Sequence, residues 1–154
     1  MAERSTDALL QEMIDREAIR DLASRYAHLV WQKDVPAILD LFTEDGEVDT
    51  GDRPAIRGRD ALRQAYQGML AGDEFQPFIH NHVVELDGDR ATGTCYLDLR
   101  ASIGGRSMTG AGYYQDRYVK VGGEWKFRSR KLTMIYLVPA GHGWAEPKDS
   151  APDA

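Results

Sequence analysis

The chain has 154 residues, the length of one ordinary domain that buries roughly two-thirds of the surface its unfolded form exposes. Its net charge is −6, and its 19 basic residues are spread along the sequence rather than gathered in one stripe, which argues against a nucleic-acid partner. The N-terminus has no signal-peptide pattern, and no run approaches the ~18 apolar residues of a membrane span. We therefore expect a cytoplasmic protein without a membrane partner.

The first half of the sequence has helical periodicity. Capping residues over 5–7 predict the start of a long amphipathic helix, which a second cap at Asp15 would divide. The apolar residues of this helix recur mostly at steps of three and four: Leu10, Met13, Ile14, Ile19, Leu22, Ala23, Tyr26 and Val30. Asp34 before Pro36 predicts a short second helix, and the spacing over residues 59–72 predicts a third, after two short extended pieces.

From Gln76 onward the hydrophobic period changes to two. Glycine-containing turns divide this region into predicted strands at about residues 76–86, 90–100, 106–121 and 124–136. Helices followed by hairpin-connected strands predict an α+β domain in which an antiparallel sheet curls over helices on one side, with a pocket at the open end. Residues 1–138 are the predicted domain. Residues 139–154 are a flexible or pocket-covering tail, which Trp144 would pin.

The cysteine and histidine residues limit the kinds of catalytic and metal site that the sequence can form. Cys95 lies within an apolar strand and has no second cysteine to bridge, so a small buried hydrophobe is favoured over a nucleophile. His80 and His82 are close together, but a metal needs three or four converging ligands and no third has a recognisable spacing. No phosphate-binding motif occurs either. We expect neither a metal nor a cofactor.

The segment PFIHNHVVELDGDRATG, residues 77–93, places both histidines on one strand. In a regular strand one side would carry Phe78, His80, His82, Val84 and Leu86, and the other Ile79, Asn81, Val83 and Glu85. Because the first set avoids Glu85, it is predicted to face the interior. The alternative is a β-bulge that changes the parity and places the histidines on the outer face of the sheet.

Three segments carry a resemblance to a known family: RYAHLVWQKDVPAILDLFTEDGEVDT at 25–50, NHVVELDGDRATG at 81–93 and GYYQDRYVKVGGEWKFRSRKL at 112–132. With the order of elements, they resemble the SnoaL-like branch of the nuclear-transport-factor-like superfamily over residues 10–138. This superfamily includes ketosteroid isomerase, scytalone dehydratase, polyketide cyclases, bile-acid dehydratase and a hexachlorocyclohexane dehydrochlorinase. The resemblance implies a cone-shaped α+β barrel whose curved antiparallel or mixed sheet wraps over three N-terminal helices around one deep apolar pocket. It also implies a homodimer.

The resemblance implies roles for two residues. Tyr26 lies where the isomerase and the bile-acid dehydratase have a pocket tyrosine, whose hydroxyl would donate to a substrate oxygen. Asp116 lies where the isomerase has a protonated acid in its oxyanion hole. A structural pair with Arg117 or Arg130 is an equally open reading of Asp116.

Three positions depart from the family pattern. Thr50 stands where the isomerase has its catalytic base, and a hydroxyl cannot remove a carbon-bound proton unaided. Trp31 stands where scytalone dehydratase and its relatives have a pocket aspartate, and Pro77 or Phe78 occupies the place of their catalytic histidine. The usual aspartate–histidine pair is therefore missing, and His80 is the first candidate to replace it.

The predicted function is a cofactor-independent lyase, isomerase or dehydratase that moves protons on a small, mostly apolar, cyclic or aromatic substrate. His80 and His82 would act as general acid and base, and Tyr26 and Asp116 would polarise the substrate oxygen. The candidate substrate-binding residues are Trp31, Phe78, Tyr114, Thr50 and His28, the last being expected on an exposed helix flank. The alternative is a non-catalytic small-molecule-binding or dimeric interaction domain of the same fold, which Trp31 and Thr50 at expected catalytic positions favour.

Overall fold

A computed structural model describes residues 3–145 of the chain. The helices are α1 (Thr6–Gln32), α2 (Val35–Asp40) and α3 (Arg59–Gly72). The strands are β1 (Phe42–Asp49), β2 (Ile56–Arg57), β3 (Glu74–Asp87), β4 (Arg90–Ile103), β5 (Arg106–Val121) and β6 (Glu124–Pro139). Within the described range, each helix is either too short or too polar to cross a bilayer.

Helix α1 is continuous. It begins after Ser5, whose side chain accepts a backbone N–H of the first turn, and it ends at Lys33 in the left-handed region with φ 56°. The predicted division at Asp15 is wrong. Its carboxylate does not cap a second helix, because it accepts hydrogen bonds from Trp125 Nε1 at 2.9 Å and from Lys120 Nζ at 3.1 Å.

The apolar face of α1 changes sides along the helix. Its C-terminal part buries Ile19, Leu22, Ala23, Tyr26, Ala27 and Val30. Leu10, Met13 and Ile14 were predicted on the same face, but they are 53%, 67% and 52% exposed. The physical reason is the five-residue step from Ile14 to Ile19, which turns the apolar face by about 140° around a helix of 3.6 residues per turn.

The strands form one curved, open sheet in the order β2-β1-β6-β5-β4-β3. Strand β1 runs parallel to β6, and the other neighbouring strands are antiparallel. The helices pack on the inner face of the sheet, and the most completely buried apolar residues come from both layers: Ile19, Ile38, Leu39, Leu62, Cys95 and Phe127. The predicted α+β class and the burial of Cys95 as a small hydrophobe are confirmed.

A β-bulge in β3 separates the two histidines. Ile79 and His82, three residues apart in β3, pair with Leu97 and Cys95, which are two residues apart in β4, so β3 holds one extra residue. The residues that point inward are therefore Pro77 and Ile79 before the bulge and His82, Val84 and Leu86 after it. The predicted inward orientation is right for His82 and wrong for His80 and Phe78, because one extra residue reverses the side on which each side chain lies.

A second bulge, in β6, brings Arg130 into the interior. Tyr118 and Arg117, which are consecutive in β5, pair with Phe127 and Ser129, which are two residues apart in β6. Strand β6 therefore holds one extra residue at this point. Strict alternation from Trp125 and Phe127 would turn Arg130 outward. With the bulge, Arg130 follows them on the inner face and is only 1% exposed.

Candidate functional site

A continuous series of hydrogen bonds crosses the inner face of the sheet. His82 Nε2 lies 2.9 Å from Tyr118 Oη, and Tyr118 donates to Asp116 Oδ2 at 2.9 Å. Arg130 donates to the same carboxylate from Nε at 2.8 Å and from Nη2 at 3.1 Å. We term these four residues the inner polar chain. It runs from a half-buried imidazole to a fully buried ion pair, since Asp116 and Arg130 are 2% and 1% exposed.

Gly93 of β4 makes room for this connection. Strand β4 lies between β3 and β5, so the imidazole of His82 crosses it to reach Tyr118. A Cβ at Gly93 would lie 3.2 Å from His82 Nε2, 3.1 Å from Tyr118 Cε2 and 2.9 Å from the carbonyl oxygen of Val83. The glycine is therefore required by close approach of neighbouring atoms rather than by its own backbone conformation.

The hydrogen bonds determine the tautomer of His82. Tyr118 gives its single proton to Asp116, so its oxygen must accept from His82 Nε2, and Nδ1 carries the free lone pair. Burial is the main cause that lowers the pKa of His82 below 6.5, and Asp116 opposes it while Arg130 and Arg20 add to it. The imidazole is thus neutral at pH 7 and can accept a proton at Nδ1.

The Arg130 guanidinium is surrounded by aromatic rings. Its Cζ lies 3.7 Å from the ring centroid of Tyr114, 4.4 Å from that of Tyr26 and 4.3 Å from that of Phe127. Burial is the largest single influence and would lower the pKa of Arg130, but the charge and hydrogen bonds of Asp116, together with Tyr114 and Tyr26, outweigh it and the pKa is raised. Nη1 is buried and has no hydrogen-bond partner among the described residues. Such a donor is rare in folded proteins and is available to an acceptor atom of a bound molecule.

Two tyrosine hydroxyls meet beside this guanidinium. Tyr26 Oη and Tyr66 Oη are 2.6 Å apart, and either can be the donor. Burial is the main cause that raises the pKa of both phenols, so both stay protonated at neutral pH. Only one of the two hydroxyl protons is used between them. The other remains available to an acceptor.

Sequence reasoning did not select Tyr66, Tyr118 or Arg130. Tyr66 shares the buried face of α3 with two leucines, and its hydroxyl on that apolar face was the only signal. Tyr118 could have been found, because it shares strand parity with Asp116. Arg130 was named only as one of two possible partners of Asp116, because its inward orientation depends on the bulge in β6.

His80 lies on the outer face of the sheet. Its Nε2 is 2.9 Å from Asp98 Oδ2, and the two side chains are 52% and 42% exposed. The sheet separates this pair from the inner polar chain. The placement of His80 at an inner pocket is therefore wrong, and the bulge that the sequence left open as an alternative is the reason.

The structure brings Tyr26 and Tyr114 to the inner polar chain. The other candidate substrate-binding residues lie elsewhere. Trp31 donates from Nε1 to the Pro77 carbonyl at 2.9 Å and packs edge-to-face on Phe78, with both rings at least 40% exposed. The Thr50 hydroxyl donates to Asp52, in the loop after β1, and His28 is on the exposed side of α1. The predicted contact with the interior is wrong for Phe78 and Thr50, whereas His28 lies on the exposed helix flank where it was expected.

Asp116 adopts the structural pairing that the sequence left open. Arg130 binds both of its carboxylate oxygens and Tyr118 donates to one of them. The carboxylate therefore acts as an acceptor and has no proton to donate to a substrate oxygen. Asp116 therefore orients Tyr118 and Arg130 by accepting their hydrogen bonds.

Two adjoining cavities of about 520 and about 600 Å³ lie mainly on the outer face. The first is lined mostly by polar residues, and its charged ones are Glu47, Asp49, Glu85, Asp116, Arg117, Arg130 and Lys131. The deep apolar pocket on the inner side stays a prediction. In the described part of the chain, no three His, Cys, Asp or Glu side chains are arranged to hold a metal ion.

The chain is similar to known proteins over most of its length. A family model described as a SnoaL-like domain matches residues 11–131. None of the curated proteins matches the chain. Among solved structures, a variant of Rv3472, a protein of unknown function from Mycobacterium tuberculosis, is 29% identical with a TM-score of 0.75, covering 82% of this chain and 75% of that one.

Two further solved structures are similar in fold. A hexachlorocyclohexane dehydrochlorinase, LinA type 2, is 23% identical with a TM-score of 0.80 and covers 90% of this chain and 97% of its own. A protein from Novosphingobium aromaticivorans, provisionally named a scytalone dehydratase, is 21% identical with a TM-score of 0.77, covering 91% and 97%. At these identities the likeness shows the fold, and the reaction must be argued from the side chains.

Proposed function

The chain belongs to the SnoaL-like domain family, and from this premise we propose that it is an acid–base enzyme with His82 as its general base. The observation that carries the proposal is the half-buried, neutral imidazole at the end of the inner polar chain. Its Nε2–H is held by Tyr118, and Nδ1 has no hydrogen-bond partner within residues 3–145. The reaction moves a proton on a small cyclic or aromatic substrate and uses no cofactor.

Proton abstraction by His82 begins the proposed reaction. Nδ1 takes a proton from the carbon next to a substrate carbonyl group; the electron pair of the broken C–H bond forms a carbon–carbon double bond, and the π pair of the C=O bond moves onto the oxygen to give an enolate. The imidazolium keeps its Nε2–H bond to Tyr118, and the Asp116 carboxylate beyond Tyr118 offsets the new positive charge. Return of the proton to another carbon completes an isomerisation. Departure of a neighbouring group with its bonding electrons completes an elimination.

The developing negative charge on a substrate oxygen needs hydrogen-bond donors. Arg130 Nη1 and the unused hydroxyl proton of the Tyr26–Tyr66 pair are two such donors. They belong to the same part of the interior, because the Arg130 guanidinium lies 4.4 Å from the Tyr26 ring centroid. The substrate therefore carries a carbonyl group beside the carbon that loses its proton.

The proposal is tested by hydrogen–deuterium exchange into a panel of cyclic and aromatic ketones in D₂O, followed by proton NMR. This assay detects proton abstraction even when the natural substrate is unknown. Replacing His82→Gln should lower the exchange rate at least ~100-fold. His80→Gln is the matched control on the outer side of the same strand and should keep the wild-type rate. Exchange retained in His82→Gln would remove His82 from the mechanism.

Ligand binding without chemistry is the second candidate function. The observation that favours it is the stacking of Arg130 among three aromatic rings, since such an arrangement suits recognition of a planar, polar-edged molecule. If the domain only binds ligands, the ketones should shift the NMR signals of His82 and Arg130. The protons of the ketones should then exchange no faster with the wild-type protein than in buffer alone. The two candidates are thus distinguished by exchange, not by binding.

A further inference from the structure

The N-terminal part of α1 presents an apolar surface to solvent. Leu9, Leu10, Met13 and Ile14 are 42%, 53%, 67% and 52% exposed, and we term these four residues the N-terminal apolar stripe. On the other side of the same turns, polar side chains face the domain. Asp15 accepts from Trp125 and Lys120, and Arg16 donates to the Val84 carbonyl. The usual amphipathic pattern is inverted here, which marks an interaction surface.

The described residues leave this stripe exposed. Residues 1–2 and 146–154 are the only ones outside the described range. The second of these segments, EPKDSAPDA, contains no large apolar side chain and carries three acidic residues. A segment of this composition gains little free energy by packing on leucine, isoleucine and methionine. An apolar surface on another molecule would gain more free energy by packing there.

We propose that the N-terminal apolar stripe pairs with the same stripe of a second copy of this chain, with the two helices antiparallel. The stripe is palindromic along the sequence, because its residues are spaced evenly about the midpoint between positions 11 and 12. A two-fold axis at that midpoint places Leu9 opposite the partner's Ile14 and Leu10 opposite the partner's Met13. Each apolar side chain thus meets another, as an isologous interface requires.

The charges beyond the stripe are also self-complementary. Glu3 lies just before α1 and Arg20 lies beyond the other end of the stripe, so an antiparallel pair turns Glu3 of each copy towards Arg20 of the other, and both residues are exposed. Neither forms an ion pair within its own chain among the described residues, whereas Arg4, just before α1, and Arg16 and Arg25 of α1 do. The antiparallel arrangement therefore pairs opposite charges at both ends of the stripe, and it also opposes the two helix dipoles favourably.

Cross-linking with a short bis-maleimide tests the geometry. Chains carrying Leu9→Cys and chains carrying Ile14→Cys are treated separately and as an equal mixture. Antiparallel pairing predicts a cross-linked dimer in the mixture at a several-fold higher yield than in either sample alone. The native Cys95 does not compete, because it is buried and burial raises its pKa to about 11. Equal yields in the three samples, or no dimer in any, would overturn the proposal.

Sedimentation equilibrium tests the energetic role of the same surface. Replacing Met13→Glu places a charge against the partner's apolar side chains and should weaken self-association at least about tenfold. Val83→Glu is the control, because Val83 is an exposed apolar residue (58%) on the outer face of the sheet. Self-association unchanged by Met13→Glu, or a wild type that is monomeric at every concentration, contradicts the proposal. Circular dichroism checks that α1 stays helical in both variants.

Discussion

At the residue scale, the candidate site depends on contacts that only a few atoms make. His82 is poised as a base because Tyr118 takes its Nε2–H, and Tyr118 is oriented in turn by Asp116. Gly93 contributes by lacking a side chain where any other residue would push the imidazole away. The chemistry of the site therefore rests on the imidazole of His82 and on the contacts that hold it in place.

Replacing Gly93→Ala should destabilise the protein by about 1–3 kcal/mol, because the methyl group overpacks against His82 and Tyr118. The measurement is the free energy of unfolding in urea, together with the NMR titration of His82, which should lose its lowered pKa as the imidazole moves towards solvent. Gly68→Ala is the control: Gly68 lies in α3 with open space around it, and its replacement should stabilise the helix by about 0.5–1 kcal/mol. Equal stability of Gly93→Ala and wild type would contradict the close packing.

The lowered pKa of His82 predicts a pH dependence of stability. Because the folded-state pKa lies below the unfolded value of 6.5, the unfolded chain binds more protons between the two values. The free energy of unfolding therefore falls as the pH is lowered from about 6.5 through the folded-state pKa. His82→Gln should flatten this part of the curve of urea midpoint against pH. An identical slope in wild type and variant would show that His82 is not desolvated.

At the scale of secondary structure, most elements follow from local patterns. The three helices and four long strands coincide with the predicted segments, because hydrophobic period and turn residues act over short distances. The bulges in β3 and β6 do not follow, since a bulge is defined by the pairing with the neighbouring strand. This is why sequence alternation placed His80 inside and gave no reason to place Arg130 there.

Helix α1 is tied to the β5–β6 hairpin by Asp15. Replacing Asp15→Ala leaves Trp125 Nε1 without its acceptor in a side chain that is only 6% exposed. The expected loss in the free energy of unfolding is about 1–3 kcal/mol. Asp21→Ala on the same helix is the control, because its ion pair with Arg25 is exposed and contributes about 0–1 kcal/mol. The measurement is the free energy of unfolding of both variants in urea. Decreases of similar size in the two variants would refute the role of Asp15.

At the scale of the whole molecule, Arg130 joins the two layers of the fold. It pairs with Asp116 on the sheet and stacks on Tyr26 of α1, so helices and sheet share one buried charge. A buried ion pair contributes little net stability, yet removing one partner leaves the other charge without compensation. The pair therefore favours this one arrangement of helices over the sheet.

Replacing Asp116→Ala should lower the free energy of unfolding by about 3–5 kcal/mol, because the buried guanidinium loses its counter-charge. The double replacement Asp116→Leu with Arg130→Met removes both charges and should recover most of this loss. Thermal and urea unfolding measure both effects. A double variant as unstable as Asp116→Ala would mean that packing, rather than charge, dominates at these positions.

The sequence by itself determined the α+β class, the order of the elements, the burial of Cys95 and the family resemblance, because these depend on periodicity and residue type along the chain. Only the tertiary structure decided which histidine faces inward, that Arg130 pairs with Asp116, and that the first turns of α1 expose their apolar side. The bulges reverse side-chain orientation through contacts with residues distant in sequence. A single inserted residue moves every following side chain to the opposite face of a strand, and no local pattern records it.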